Sequence, residues 1–151
     1  MTDRPKLASL AVVLRESRLI LVRRKNEPDA GLWGFPGGHV DIGETALAAA
    51  SRELREETSV FAEAREYLHN LDLIVRADDG TVLFHYLLAA VLCDYVSGEP
   101  CAADDVSDAR WIDVDDVLNG TLPLSEDVDT VLKLALARQA SQIEVPTEDA
   151  R

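Results

Sequence analysis

The sequence is short of basic residues and of long apolar runs, and each shortage excludes a class of protein. Only 15 Lys and Arg stand against 28 Asp and Glu, which gives a formal charge of −13, so nucleic-acid backbones and anionic membrane surfaces are repelled overall. The longest apolar run, residues 86–93, is far below the ~20 residues of a membrane-spanning helix, and the N-terminus has no apolar signal core. We expect a cytoplasmic protein without a nucleic-acid or membrane partner.

Cysteine is scarce as well. The chain has two, Cys93 and Cys101, with no Cys or His at a zinc-ligand spacing beside them, so we predict reduced thiols. A length of 151 residues with 47% hydrophobic and 28% charged residues is typical of one folded domain. We assign residues 1–141 to a single domain and residues 142–151 to a polar C-terminal tail.

Segment types alternate along the chain in a way that predicts an α/β domain. Strands precede and follow a first helix and a second long helix comes last, so we expect a mixed β-sheet packed between helices. The second long strand is nearly continuous in apolar residues, which predicts a central position with both faces buried. No exposed apolar face can be read from the sequence, so a homodimer stays open. The predicted elements are a hairpin of residues 7–14 and 18–22, a Gly- and Pro-rich loop at 25–38, a helix at 45–58, strands at 60–77 and 81–97 joined by an Asp-Asp-Gly turn, an acidic loop at 98–107, a short strand at 109–113, a helical turn at 114–118 and a helix at 125–140.

Three glutamates of the first helix project from one side. At 100° per residue, Glu53, Glu56 and Glu57 lie within about 100° of one another, beside the apolar stripe. Arg52 falls next to Glu56, where it can pair with an acid and hold the helix against the preceding loop. Like charges this close repel one another, and a hard dication such as Mg²⁺ or Mn²⁺ removes that cost. Taken alone, such a trio is more often a solvated helix face.

The spacing around the trio supplies further context. From Gly38 the sequence reads GHVDIGETALAAASRELREETSV, which places Glu44 and the segment 52–57 at fixed intervals after the glycine. This resembles the Nudix box, G-x5-E-x7-R-E-U-x-E-E-x-G-U with U aliphatic, and the preceding run GLWGFPGG is common in that family. One position differs, since Ser59 stands where the family has glycine. Glycine at that position normally adopts a left-handed helix cap, so no metal ligand is lost with the change.

The resemblance implies the Nudix fold, an α/β/α sandwich, and hydrolysis of nucleoside diphosphate derivatives with the help of a divalent metal. It implies that Glu53, Glu56 and Glu57 are catalytic and hold Mg²⁺ or Mn²⁺, together with the backbone carbonyl of Gly37. Arg52 corresponds to the arginine that orients the catalytic glutamates. Metal ions in such a site shield phosphate charge and align the attacking water.

Two further box positions have structural roles in this interpretation. Glu44 lies on the opposite side of the helix wheel from the trio, so we expect it to cap and order the junction between loop and helix. Gly38 opens the motif on the substrate side. Arg23 and Arg24, at the end of the second strand, are candidates for contacts with phosphate or ribose. A solvated basic run explains these two arginines equally well.

A general base is also needed to activate water. Glu57 is one candidate, and the resemblance implies that an acid from a late loop is another. Glu99, Asp104 and Asp105 are the acids of that loop, and the residues alone do not choose among them. A solvated acidic surface is the alternative for the whole loop.

Three functions follow from the resemblance. The first is hydrolysis of the pyrophosphate linkage of ADP-ribose or a related nucleotide sugar. The second is hydrolysis of nucleoside triphosphates, including oxidised ones, in the manner of MutT-like proteins. The third is a domain that senses nucleotides without hydrolysing them, but such domains usually lose box carboxylates and this chain keeps all four.

Overall fold

The computed structural model describes the backbone of residues 4–144, in which strands and helices alternate. Most of the predicted elements are present, with shifted ends. None of the helices within these residues is both long and apolar enough to cross a membrane. The elements are β1 (Lys6–Arg15), β2 (Arg18–Arg24), β3 (Trp33–Gly34), β4 (Gly37–His39), α1 (Ala46–Thr58), β5 (Phe61–Arg76), β6 (Val82–Ser97), β7 (Val106–Asp113), α2 (Val114–Leu118) and α3 (Val128–Glu144).

The strands form one mixed sheet in the order β3-β2-β1-β6-β5. β1 runs parallel to β6, and the other pairs are antiparallel. On its other edge β1 is shared between two partners, because residues 8–10 pair with β4 while Leu14 and Arg15 pair with β2. The sheet therefore divides along β1, and the gap between its two branches opens next to β4.

Successive residues of β1 pack on opposite faces of the sheet, as the two-residue period of a strand requires. Val13 belongs to a buried cluster with Ala50 and Leu54 of α1, whereas Val12 belongs to a second cluster with Val131 and Leu132 of α3. Helices thus cover both faces, and the predicted α/β/α sandwich with a mixed sheet is confirmed.

Helix α1 begins and ends with local signals that the sequence carries. Thr45 is the N-cap, and its hydroxyl accepts a hydrogen bond from the Ala48 N–H at 3.0 Å. At the other end Ser59 adopts the left-handed conformation with φ 65°, and its N–H donates to the Arg55 carbonyl. The serine therefore takes the backbone conformation that favours glycine at this point. The buried Ser9 hydroxyl joins the start of the helix to β1 by donating to the Ala46 carbonyl at 2.7 Å.

The structure departs from the predicted elements in three places. The Gly- and Pro-rich loop contains β3 and β4, which are too short to give a periodic signal. β6 is central, as predicted, but only residues 90–93 are fully buried and its first half extends beyond the core. α3 begins at Val128, not at Ser125, because Asp127 has φ 72° and cannot belong to the helix. The predicted C-terminal tail begins in the last turn of α3, and from residue 145 it lies outside the described residues.

Candidate active site

The three glutamates of α1 differ in burial, with Glu56 the most exposed and Glu57 the least. The Glu56 side chain is 40% exposed and that of Glu53 16%, whereas Glu57 as a residue is 6% exposed. The Gly37 N–H donates to Glu57 Oε1 at 3.1 Å. Gly37 therefore meets the trio through its N–H in this structure, and the role predicted for its carbonyl stays a prediction.

Arg52 joins the helix to the loop that precedes it. Its Nε and Nη2 atoms donate to the two carboxylate oxygens of Glu44 at 2.7 and 2.9 Å, and Nη2 also donates to the His39 carbonyl. Its Nη1 atom lies 3.2 Å from carboxylate oxygens of both Glu53 and Glu56. One guanidinium thus fixes the positions of three box acids.

Glu44 orders the junction between loop and helix. The Asp41 N–H donates to Glu44 Oε1 at 3.0 Å, while Thr45 provides the helix cap. The hydrogen bond from Arg52, helped by that of the Asp41 N–H, lowers the pKa of Glu44 to about 2. Glu44 is therefore ionised at neutral pH and committed to this ion pair.

Burial disfavours a negative charge on Glu53 and Glu57. It raises the pKa of Glu57 to about 8, and nearby Glu53 and Asp105 add to the effect, while the Gly37 N–H and Arg24 oppose it. Burial raises the pKa of Glu53 as well, against the influence of Arg52. A buried carboxyl with this environment gains from a cation beside it.

The oxygen-rich donor set fits Mg²⁺ or Mn²⁺. Within residues 4–144, no three His, Cys, Asp or Glu side chains already stand in metal-ligating geometry. The contacts above explain this, because Arg52 engages Glu53 and Glu56 while Gly37 engages Glu57.

Two adjacent glycines let β4 pass between β1 and α1. A Cβ on Gly37 would stand 2.0 Å from the Ser9 carbonyl oxygen, and a Cβ on Gly38 would stand 2.5 Å from the Glu53 carboxylate. Neither approach is compatible with a side chain as the atoms stand. The glycines therefore bring backbone directly against the carboxylates, and this explains why the motif opens on glycine.

A cavity of about 310 Å³ adjoins the carboxylates. It extends from β4 and α1 across β1, β5 and β6 to the start of α3. Eight of its lining residues are acidic and one is an arginine. The eight acids are Glu27, Asp29, Glu53, Glu57, Asp72, Asp105, Glu126 and Asp127, and the arginine is Arg24.

The structure separates the two arginines of β2. Arg24 lines the cavity, and its Nε donates to the Pro28 carbonyl at 2.7 Å. Arg23 is exposed and does not line the cavity, because neighbouring side chains of a strand point to opposite faces. Of the two arginines, Arg24 therefore lies at the cavity, and Arg23 does not take the cavity-facing position predicted for it.

The three loop acids are also separated. Asp105 lines the cavity and Asp104 is close enough to raise the pKa of Glu53, and Lys25 holds this part of the loop through their backbone carbonyls. Glu99 does not line the cavity, and its carboxylate instead accepts from the Trp111 indole at 3.3 Å. Of the candidate bases in this loop, Asp105 therefore lies at the cavity and Glu99 lies away from it.

Sequence reasoning missed the far end of the cavity. Ser125, Glu126 and Asp127 line it just before α3, and Tyr86 lines it with His39 packed 5.6 Å away between ring centres. The polar segment has the pattern of a helix start, and Tyr86 falls within the strand that the sequence predicts to be buried on both faces. No local pattern indicates that either faces a cavity, since strands distant in sequence form the opposite wall.

Comparison with known proteins gives consistent results. A family model described as "NUDIX domain" matches residues 4–133. An ADP-ribose pyrophosphatase of Methanocaldococcus jannaschii is 29% identical over 129 residues, 85% of this chain and 72% of that protein. A MutT NUDIX hydrolase structure from Burkholderia pseudomallei has a TM-score of 0.74 and 30% identity, and covers 87% of this chain and 98% of its own. The NUDIX domain of Shewanella oneidensis NrtR, complexed with ADP ribose, has a TM-score of 0.72 and 27% identity, and covers 91% and 90%.

Proposed function

Because the chain belongs to the Nudix family of hydrolases, we propose that it hydrolyses the pyrophosphate linkage of a nucleoside diphosphate derivative with Mg²⁺ or Mn²⁺. The observation that carries this proposal is the composition of the cavity lining, in which eight residues are acidic and one is an arginine. A diphosphate carries negative charge of its own, so it can occupy such a cavity only with cations beside it. Metal ions bound together with the substrate neutralise the charge of both the acidic cavity and the diphosphate.

Residues at different positions in the site would have different roles in the reaction. Glu53, Glu56 and Glu57 would hold the metal, which would shield the phosphates and polarise the attacking water. Arg52 is a positioning residue that acts through the glutamates it binds. Either Glu57 or Asp105, which both line the cavity, would accept the proton of that water.

Arg24 would contact a phosphate oxygen of the substrate. Arg24 is the one arginine among the residues that line the cavity. The hydrogen bond from its Nε to the Pro28 carbonyl, 2.7 Å long, fixes the direction of its side chain. A guanidinium held in this way can bind phosphate without a large loss of side-chain freedom.

ADP-ribose or a related nucleotide sugar is the substrate that we propose. Support comes from the archaeal relative named ADP-ribose pyrophosphatase and from the Shewanella NUDIX domain complexed with ADP ribose. The cavity extends well beyond the carboxylates, which leaves room for groups on both sides of a diphosphate. The MutT-named neighbour supports nucleoside triphosphates as the second candidate.

A substrate panel with matched variants tests the proposal. We expect Mg²⁺-dependent conversion of ADP-ribose to AMP and ribose 5-phosphate, and we expect Glu57→Gln to reduce kcat by about a hundredfold or more. Glu63→Gln is the control, because Glu63 is an exposed acid on β5 outside the cavity. Calorimetric titration with Mn²⁺ should show uptake that Glu57→Gln weakens and Glu63→Gln leaves intact.

Two results would contradict the proposed function, the first in its substrate and the second in its reaction. Turnover of triphosphates alone would exclude the proposed substrate but keep the reaction class. Absence of Mn²⁺ uptake, with and without nucleotide, would exclude the enzyme proposed here.

A further inference from the structure

The loop between β6 and β7, which brings Asp105 to the cavity, is tied to the last turn of α1. The Cys101 N–H donates to the Thr58 carbonyl at 2.9 Å, and the Ala103 N–H donates to the Glu57 carbonyl at 3.0 Å. The last carbonyls of a helix have no partner within the helix itself, so the loop binds groups that α1 leaves free. One side of the loop is thereby attached to the helix that carries the glutamates.

The other side of this loop is attached to the residue that follows β2. The Lys25 N–H donates to the Asp105 carbonyl at 3.2 Å, and the Lys25 ammonium donates to the Asp104 carbonyl at 3.1 Å. Lys25 directly follows Arg24, which pairs with Val106 at the start of β7. A single lysine therefore holds two consecutive carbonyls at the point where the loop enters β7.

The backbone between these two attachments is strained. Asp104 has φ 56°, a left-handed conformation that costs an L-residue free energy, although Asp tolerates it better than most. Such a conformation persists where the surrounding structure holds it in place. The Lys25 ammonium binds the carbonyl of the strained residue itself, so its hydrogen bond stabilises this conformation directly.

The conformation of Asp104 decides where the next side chain lies. Asp105 follows it directly and lines the cavity together with Glu57. A change in the dihedral angles of Asp104 would rotate Asp105 as well. An acid that takes a proton from water has to stand within hydrogen-bond reach of that water, so such a rotation would remove Asp105 from a useful position.

We propose that Lys25 is a positioning residue, which holds the backbone of Asp104 so that the Asp105 carboxylate stays at the cavity. The inference rests on the proposed function, in which Asp105 is one of two acids that would accept the proton of the attacking water. The Lys25 side chain is exposed and does not line the cavity. It therefore acts on the reaction through Asp105 and not through a contact with the substrate.

Hydrogen exchange in Lys25→Met tests the positioning apart from hydrolysis. Methionine keeps most of the length of the lysine side chain and removes its N–H donors. In the metal-free protein, we expect the N–H groups of Ala103 and Val106, which bind the Glu57 and Ala103 carbonyls, to exchange about fivefold faster than in the wild type. Lys25→Arg should restore the wild-type rates, because a guanidinium also donates hydrogen bonds.

Steady-state kinetics with ADP-ribose test whether Lys25 acts through Asp105. We expect Lys25→Met to lower kcat about fivefold and to leave KM within twofold of the wild type. In an Asp105→Asn background the same substitution should have no further effect, because the carboxylate that Lys25 positions is already absent. Lys133→Met is the matched control, since Lys133 is an exposed lysine of α3 that does not line the cavity, and it should change neither exchange nor kcat.

The outcomes separate this inference from the proposed function. Unchanged exchange at Ala103 and Val106 in Lys25→Met would overturn the positioning role even if ADP-ribose is hydrolysed. Equal losses of kcat in the wild-type and Asp105→Asn backgrounds, or a loss confined to KM, would also overturn it, because Lys25 would then act by another route. Faster exchange that Lys25→Arg reverses would support the held loop even if ADP-ribose is not turned over.

Discussion

The two ends of the cavity satisfy their polar groups in different ways. At the α1 end Arg52 binds Glu44, Glu53 and Glu56, and Gly37 binds Glu57, so the carboxylates are held before any ligand arrives. At the α3 end Ser125 Oγ has no partner in the described part of the chain. The comparison teaches that one end is organised by the protein itself, whereas the other depends on what binds to it.

The largest effect should come from adding a methyl group to the glycines of the α1 end. In Gly37→Ala the Cβ would stand 2.0 Å from the Ser9 carbonyl oxygen, so β4 or β1 has to move, and we expect the free energy of unfolding to fall by about 3 kcal/mol. In Gly38→Ala the Cβ would meet the movable Glu53 carboxylate instead. We expect this variant to keep its melting temperature and to lose about a hundredfold in kcat.

Chemical denaturation and steady-state kinetics on both variants would check this contrast. Gly43→Ala is a control for steric effects, because a Cβ there meets nothing within 4 Å, although its φ of 86° adds local strain. If Gly38→Ala retained full kcat, the close approach of backbone to Glu53 would have no catalytic importance.

A smaller effect concerns the pH dependence of stability without metal. The pKa of Glu57 rises from 4.5 in the unfolded chain to about 8 in the folded protein, mainly through burial, so the folded state binds more protons between these values. The stabilisation of the folded state by protonated Glu57 is complete below pH 4.5 and is lost as the pH rises to about 8. In EDTA, the melting temperature should therefore fall across this window more steeply for the wild type than for Glu57→Gln.

Melting curves at several pH values would measure the difference between the two proteins. The comparison isolates Glu57, because Glu44 titrates near pH 2, below this window, and other groups contribute to both curves. Parallel curves for the wild type and Glu57→Gln would show that Glu57 is ionised in the metal-free protein.

The smallest effect is expected at the C-terminal end of α1. Ser59 has φ 65°, so Ser59→Gly should relieve strain and stabilise the protein by up to about 1 kcal/mol. Activity should stay within a few-fold of the wild type, because no metal ligand changes. A tenfold loss of kcat/KM would show that the serine itself contributes to the site.

The α1 end could be predicted from sequence because its chemistry is contiguous. The helix period alone places Glu53, Glu56 and Glu57 together, and the box spacing adds Arg52 and Glu44. In the structure Arg52 joins Glu44, Glu53 and Glu56 in one network, while Glu57 accepts from the Gly37 N–H beside it. Residues close together in sequence therefore form most of this end of the site.

The α3 end could not be predicted because its walls are assembled from distant strands. The left-handed conformation of Asp127 makes α3 begin three residues later than the sequence predicts, and no residue type signals this. Arg23 and Arg24 show the same limit on a smaller scale, since only the pairing of β2 decides which side chain faces the cavity. The apolar run of β6 predicts burial along its full length, yet only residues 90–93 are buried.

The alternation of β1 between two cores has a mechanical consequence. Val13 is clamped against α1 and Val12 against α3, so a sliding of this strand would disturb the packing of both helices at the same time. Helix α1, which carries the carboxylates, and helix α3, which borders the far end of the cavity, are therefore packed against the same strand. The distance between the two helices is set by the thickness of one sheet. Substitutions that weaken packing on one face of β1 should therefore also disturb the helix packed on the other face.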